Sequence, residues 1–356
     1  MNYLIYSGNI IVAKVIEDVL KIEDENRAPI ALLNGTTFKD WVSSRALDSS
    51  RTHGRILKKT HGLSSFASDF ETAMKYHAAV ITDNFWVKSE DEELVYDDVI
   101  FKDDKYFQMA ISQDASVIGN KSSKTPELTN IGSQEKGWKL IQGEWWLYKN
   151  ETQTEIFHEM LTSVIGQNLG FNMALYEYKD GYIRTKDFTK GIYNLQHADS
   201  IMKDHISKSG QKIIDEDWKY NYEEFCKLGN NIANDYLNIL YLDAICNNVD
   251  RHTKNYGILT DRTSGKLIGL TPNYDNNMSF YGIDEKANYS DKLTKDFVSF
   301  IIENNINFAP PLSLNREMIY KSLNKQMSLE HLNFDFLLDY ACENMKYIKD
   351  ELSKDN

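Results

Sequence analysis

The sequence predicts an α+β fold in two lobes, a small mixed one and a mostly helical one, with a cleft between them and an accessory region ahead of both. Two observations carry this. Alternating apolar patterns closed by short turn signals occupy residues 138–186 and enclose a single helical pattern, whereas four-step apolar spacing dominates from about Gly191 onward. The resulting order of strand, strand, helix, strand pair and then helices is that of a lobe built on a sheet feeding a lobe built on helices.

Composition bounds the function. The chain has 356 residues, of which 42% are hydrophobic, with 16 Phe, 21 Tyr and 6 Trp, enough to fold without a partner and to exclude disorder. Forty basic residues against 53 acidic ones leave a net charge of −13, which argues against direct nucleic-acid binding through general phosphate neutralisation. Met160 to Tyr176, the longest uncharged run, contains Gly166, Asn168, Gly170 and Asn172 and falls short of the ~20 apolar residues of a membrane span. No cation precedes Lys14, and Cys226, Cys246 and Cys342 lack ligand spacing. The expectation is a cytoplasmic protein with reduced thiols and no membrane contact.

Residues 1–115 form the expected accessory region. It begins with two short apolar runs, Tyr3–Tyr6 and Ile10–Val12, and continues with helical patterns around Phe38–Ala46 and Ser64–Tyr76, so a helical unit is expected. Arg51 and Arg55 flank His53 and Gly54 in a small basic cluster read as solvated surface. Ser89 to Asp104 is strongly acidic and reads as an exposed boundary. The polar stretch Lys121–Pro126 opens the small lobe, residues 116–190. There, strands Trp138–Ile141 and Glu144–Lys149 meet at Gln142-Gly143, a hairpin signal. Thr152 and Glu155 have capping-box spacing ahead of Ile156, Met160 and Val164 on one helix face. A second strand pair, Ala174–Tyr178 and Tyr182–Lys186, brackets Lys179-Asp180-Gly181. The helical lobe, residues 191–356, contains a helix ending near Cys246 and a hairpin of Tyr256–Thr260 with Lys266–Leu270.

Chemistry concentrates around that second hairpin. Asn255 enters it and Asp275 lies just past its exit, so the two side chains converge. One carboxylate and one amide oxygen are hard ligands suited to Mg²⁺ that keeps waters and substrate phosphates. Asp250, on the loop before the hairpin, faces the same place without being needed as a ligand and suits a general base for a hydroxyl nucleophile. Neighbouring His252 has no partner at ligand spacing and reads as a structural hydrogen-bonder. In the small lobe, Gly132-Ser133-Gln134-Glu135-Lys136 is a loop able to cradle phosphate, although an ordinary turn accounts for it equally. Lys149 ends a strand at the rim of an apolar face. Glu159, unlike Glu155, is not used by the cap and is free to pair with Lys149.

Taken together, Gly132–Lys136, the strand ending in Lys149, Glu159 with Leu169-Gly170-Phe171, Asp250-Arg251-His252-Thr253-Lys254-Asn255 and Pro272-Asn273-Tyr274-Asp275 resemble the HipA-like serine/threonine kinases. These are the toxin kinases of bacterial toxin–antitoxin systems and their solitary relatives. The resemblance covers residues 116–356, and more loosely Phe38–Arg45 and Thr82–Trp86. It implies a protein-kinase-like fold, the cofactors ATP and Mg²⁺, a protein substrate and an antitoxin-like partner. Asp250 would be the base, with Lys149 and Glu159 beside it in the catalytic set. Asn255 and Asp275 would hold the metal. Gly132, Ser133, Gln134, Glu135, Lys136, Lys149, Arg251 and His252 would contact the nucleotide, with Lys186 and Phe188 in the hinge at adenine. Thr129, three residues before Gly132, would be the autophosphorylated position, with Ser133 as the competing acceptor. Three rival readings stand beside this one, one of them an inert partner-binding subunit of an antitoxin complex. A small-molecule phosphotransferase of the aminoglycoside type shares the Asp–Asn spacing, and a pseudokinase binding module would have lost one of Lys149, Asp250, Asn255 or Asp275, all of which are present.

Overall fold

The computed structural model describes residues 2–48, 51, 54–112, 124–130, 135–202, 217–283, 291–311 and 313–354. The N-terminal region departs from the helical expectation. Strands β1 (Tyr3–Ser7), β2 (Ile10–Ile16), β3 (Val19–Ile22) and β4 (Phe85–Ser89) form an antiparallel sheet in the order β3-β2-β1-β4. Glu17 and Asp18, with φ of 49° and 65°, make the tight β2–β3 turn. Short helices occupy the β3–β4 connection, among them Phe38–Ser43 and Asp69–Met74, and Trp41 and Val42 pack with Ile5, Val12 and Val87. The sheet escaped the sequence reading because β1 finds β4 only after the whole helical connection, a pairing that no local pattern announces.

The small lobe follows the expected plan. β5 (Lys136–Ile141), β6 (Glu144–Lys149), β7 (Tyr176–Lys179) and β8 (Tyr182–Lys186) make a sheet ordered β5-β6-β8-β7. Both hairpins close through left-handed pairs, Gln142 and Gly143 at φ 52° and 82°, and Asp180 and Gly181 at φ 54° and 87°. Between the hairpins runs the helix Gln153–Asn168, started by the Thr152–Glu155 capping box.

The large lobe is helical around a three-stranded sheet. β9 (Tyr193–His197), β10 (Gly257–Asp261) and β11 (Leu267–Leu270) are ordered β11-β10-β9, so the expected hairpin acquires a third strand. Helices Asn230–Cys246, Lys292–Glu303 and Phe334–Leu352 share one core, in which Tyr241, Phe297 and Tyr340 are buried. No helix among the described residues is long and apolar enough to cross a membrane.

The N-terminal region is bonded to both lobes. Leu195 N donates to Thr82 O at 2.9 Å and Asn34 Nδ2 to Ser200 O at 3.0 Å, on the large-lobe side. On the small-lobe side Leu47 N donates to Leu128 O at 2.8 Å and Leu140 N to Asp104 Oδ2 at 3.0 Å. Arg51, expected at the surface, is 3% exposed, and its guanidinium donates to the carbonyls of Ala110 and Lys136. Its charge misled the reading: a buried guanidinium is stable when its fork finds carbonyls, and sequence does not show where those lie. Arg55 instead lies over the Phe66 ring at 5.4 Å, and His53 is outside the described residues.

Candidate active site

The end of β6 delivers Lys149 to the junction of the lobes. Its Nζ donates to Glu159 Oε2 at 2.7 Å and to Asp275 Oδ1 at 2.6 Å, and Glu151 Oε1 stands at 3.6 Å. Helix Gln153–Asn168 carries Glu159 on its buried face, where the other carboxylate oxygen accepts from Asn276 N at 3.1 Å. One carboxylate therefore holds the small-lobe lysine and the backbone beside Asp275 together.

Burial would strip the proton from Lys149, but Asp275, Glu159 and Glu151 outweigh it and raise its pKa well above the ordinary value. Burial likewise works against the charge on Asp275, yet Lys149 and Lys136 hold its carboxyl well below the usual carboxylate range. Lys136 lies directly across the β5–β6 ladder from Lys149, and burial, helped by the repulsion of Lys149, lowers it to about 8 against the pull of Asp275. Glu151, which the sequence reading missed, is pushed up to about 8, first by burial and then by its acidic neighbours Glu159 and Asp275 against Lys149. Oxygens of Glu151, Glu159 and Asp275 lie within 4.8 Å of one another.

The opposite wall is the loop after helix Asn230–Cys246, turned out of the helix by Asn247 at φ 49°. Asn255 Nδ2 donates to Asp250 O at 3.0 Å, which commits the nitrogen and leaves Oδ1 available as a ligand. Arg251, expected at the nucleotide, is turned into the protein. It donates to both Asp243 oxygens at 2.8 and 2.9 Å, to Tyr274 O at 2.7 Å and to Asn276 Oδ1 at 2.6 Å, so it braces the Asp275 segment from the large lobe.

A cavity of about 490 Å³ joins these walls, and Lys136, Lys149, Asp250, His252, Asn255 and Asp275 all line it. Lys186 and Phe188, expected at the hinge, border it; Lys186 pairs with Glu144, and Phe188 packs on Tyr274 with ring centroids 5.5 Å apart. His252 Nδ1 accepts from Lys254 N at 3.3 Å, the structural bond expected of it. Asp48, Val80, Ile81 and Thr82 also line the cavity, a contribution of the N-terminal region that the sequence did not signal. Thr129 borders it as well, but in a tight 3₁₀ turn, Pro126–Thr129, where its buried hydroxyl donates to Pro126 O at 3.3 Å instead of swinging freely. Gly132, Ser133 and Gln134 lie outside the described residues; Glu135 follows them and sits 3.5 Å from Arg51.

Comparison with solved structures decides the architecture. HipA from the Shewanella oneidensis MR-1 toxin–antitoxin system, solved with HipB and its operator DNA, matches over 99% of this chain and 97% of its own, with a TM-score of 0.62 at 13% identity. The chain has the HipA-like kinase fold. The Helicobacter pylori proinflammatory kinase CtkA also matches, over 62% of this chain and 95% of its own, at 16% identity and a TM-score of 0.46. No protein-family model matches the chain, and no curated protein sequence does. The HipA-like fold extends over the N-terminal sheet as well as the two lobes, because the match spans nearly the whole chain.

Proposed function

We propose that the chain is an ATP- and Mg²⁺-dependent serine/threonine protein kinase of HipA type that phosphorylates itself. The observation that carries this is the meeting of Lys149, Glu159 and Asp275 at the junction of the lobes, across one cavity from Asp250 and Asn255. In this reading Asp250 accepts the proton of the attacking hydroxyl. Lys149 and Lys136 neutralise phosphate oxygens, and Glu159 keeps Lys149 aimed. An ionised Asp275 and the uncommitted Oδ1 of Asn255 are the donor set a hard dication prefers, so these two would hold Mg²⁺. When bound, that ion neutralises charge on the transferring phosphoryl group.

A cytoplasmic location, a protein substrate and an antitoxin-like protein partner belong to the same proposal. The HipA neighbour was solved with HipB and operator DNA, and a net charge of −13 favours DNA contact through such a partner over contact by this chain. Thr129 and Ser133 are the proposed self-phosphorylation positions. Modification of Thr129 requires the 126–129 turn to open, and a phosphate there adds about −1.5 to −2 charge beside the nucleotide site.

The test is incubation of the purified protein with labelled ATP and Mg²⁺, followed by phosphopeptide mapping. The expected result is Mg²⁺-dependent phosphate on Thr129 or Ser133 and none in Asp275→Asn. Labelling that persists undiminished in Asp275→Asn overturns the metal assignment, and phosphate at neither position overturns the assignment of Thr129 and Ser133.

A further inference from the structure

Glu151 has no role in the chemistry above, yet its side chain is 0% exposed. Its Oε1 accepts from Asn277 Nδ2 at 3.0 Å, whereas its Oε2 is buried without a hydrogen-bond partner among the described residues. Burying a carboxyl with one oxygen unsatisfied costs stability. An apolar residue at the start of helix Gln153–Asn168 would avoid that cost, so this position violates the ordinary rule of polar satisfaction. Such violations concentrate at functional positions.

The geometry shows what the carboxyl reaches. Glu151 belongs to the small lobe, two residues past Lys149, and Asn277 belongs to the large lobe, two residues past Asp275. Besides the Lys149 Nζ–Asp275 Oδ1 pair, three contacts cross from the small lobe to this short segment: Asp275 N donates to Tyr176 Oη at 3.1 Å, Asn276 N to Glu159 Oε1 at 3.1 Å, and Asn277 Nδ2 to Glu151 Oε1. From the other side Arg251 holds Tyr274 O and Asn276 Oδ1. Among these contacts the Glu151–Asn277 bond is the side-chain pair farthest along the segment.

We propose that Glu151 is a positioning residue: through Asn277 it latches the segment carrying Asp275 against the small lobe, and so sets the affinity of the metal site without touching the metal. This rests on the Mg²⁺ reading of Asp275. Partners that orient metal ligands typically contribute roughly 10–100-fold in metal affinity. Glu151→Ala and Asn277→Ala are each expected to weaken binding of Mg²⁺-ADP by about tenfold or more on that scale, read by titration calorimetry. Glu151→Gln keeps an oxygen acceptor for Asn277 and is expected to restore most of the affinity. The double variant Glu151→Ala/Asn277→Ala is expected to bind no more weakly than either single one, because both act through one bond.

Melting temperatures without nucleotide serve as the control. A purely structural role lowers these in every variant and leaves the Mg²⁺-ADP affinity of the folded fraction at the wild-type value, which overturns the proposal. Additive losses in the double variant also overturn it, as does failure of Glu151→Gln to recover affinity while remaining folded. Absence of Mg²⁺-ADP binding by the wild-type protein would refute the kinase reading itself. Wild-type binding with unaltered variants would refute only the latch.

Discussion

Replacing Lys149 by methionine tests the electrostatic centre of the molecule directly. The ammonium is buried between Glu159 at 2.7 Å and Asp275 at 2.6 Å, with side-chain exposures of 7% for Lys149, 0% for Glu159 and 28% for Asp275. Methionine fills similar space but leaves buried carboxylates without their cation, a loss of about 3–5 kcal/mol when one partner of a buried pair is removed. The pH dependence identifies the cause. In the wild-type protein Asp275 titrates well below its unfolded value, so its contribution is present above about pH 4 and is lost only as pH falls toward the folded pKa. Without Lys149, burial is opposed only by Lys136 and Arg251, so that carboxyl rises and the folded variant takes up a proton more readily than the wild-type fold does. The variant therefore recovers relative to wild type as pH falls. Urea unfolding followed by tryptophan fluorescence should show a deficit of about 3–5 kcal/mol at pH 7.5, smaller by about 1–2 kcal/mol at pH 5, since one pKa unit is worth about 1.4 kcal/mol. Equal deficits at both pH values, or a deficit below about 1 kcal/mol at pH 7.5, would refute the reasoning.

Two further expectations are independent of this one. Asp250→Asn retains shape but cannot accept a proton, so phosphate transfer should fall on the order of 10²–10⁴-fold while nucleotide affinity, measured by calorimetry, stays close to wild type; a collapse in affinity with turnover intact would make Asp250 a ligand instead. Arg51→Met removes a donor from the Ala110 and Lys136 carbonyls; Lys136 O keeps its bond from Asn130 Nδ2, so the expected cost is about 1–3 kcal/mol, from the Ala110 carbonyl, with faster amide exchange in β5, and unchanged exchange there would show that Arg51 does not hold that strand.

What the sequence revealed and what it concealed divide by distance along the chain. Thr152 and Glu155 form their capping box within one turn, and Gln142-Gly143 and Asp180-Gly181 adopt left-handed turns dictated by their own chemistry. These signals are local, and the hairpins and helix they predict are present. Asp250, Asn255 and Asp275 were legible because a hairpin brings its own ends together, and all three line one cavity. The N-terminal sheet was not legible, since its β1–β4 ladder closes over the long helical connection. Glu151 looked like an ordinary acid at a helix start, and only its meeting with Asn277, 126 residues away, gives it meaning. Arg251, expected at the nucleotide, is turned into the protein instead. The acid that captures it, Asp243, lies within the preceding helix, where an apolar pattern surrounds it.

The bonds from the N-terminal region to both lobes have an evolutionary consequence. With Thr82 tied to Leu195 on one side and Arg51 tied to Lys136 on the other, residues 2–112 act as a keystone spanning the joint. Val80, Ile81 and Thr82 are at the same time part of the cavity wall. A lineage that discarded this segment would not inherit a smaller version of the same catalyst. It would inherit two lobes without their stop and a cavity open on one side, and would have to rebuild that wall from other material before the lobes could again keep a fixed distance.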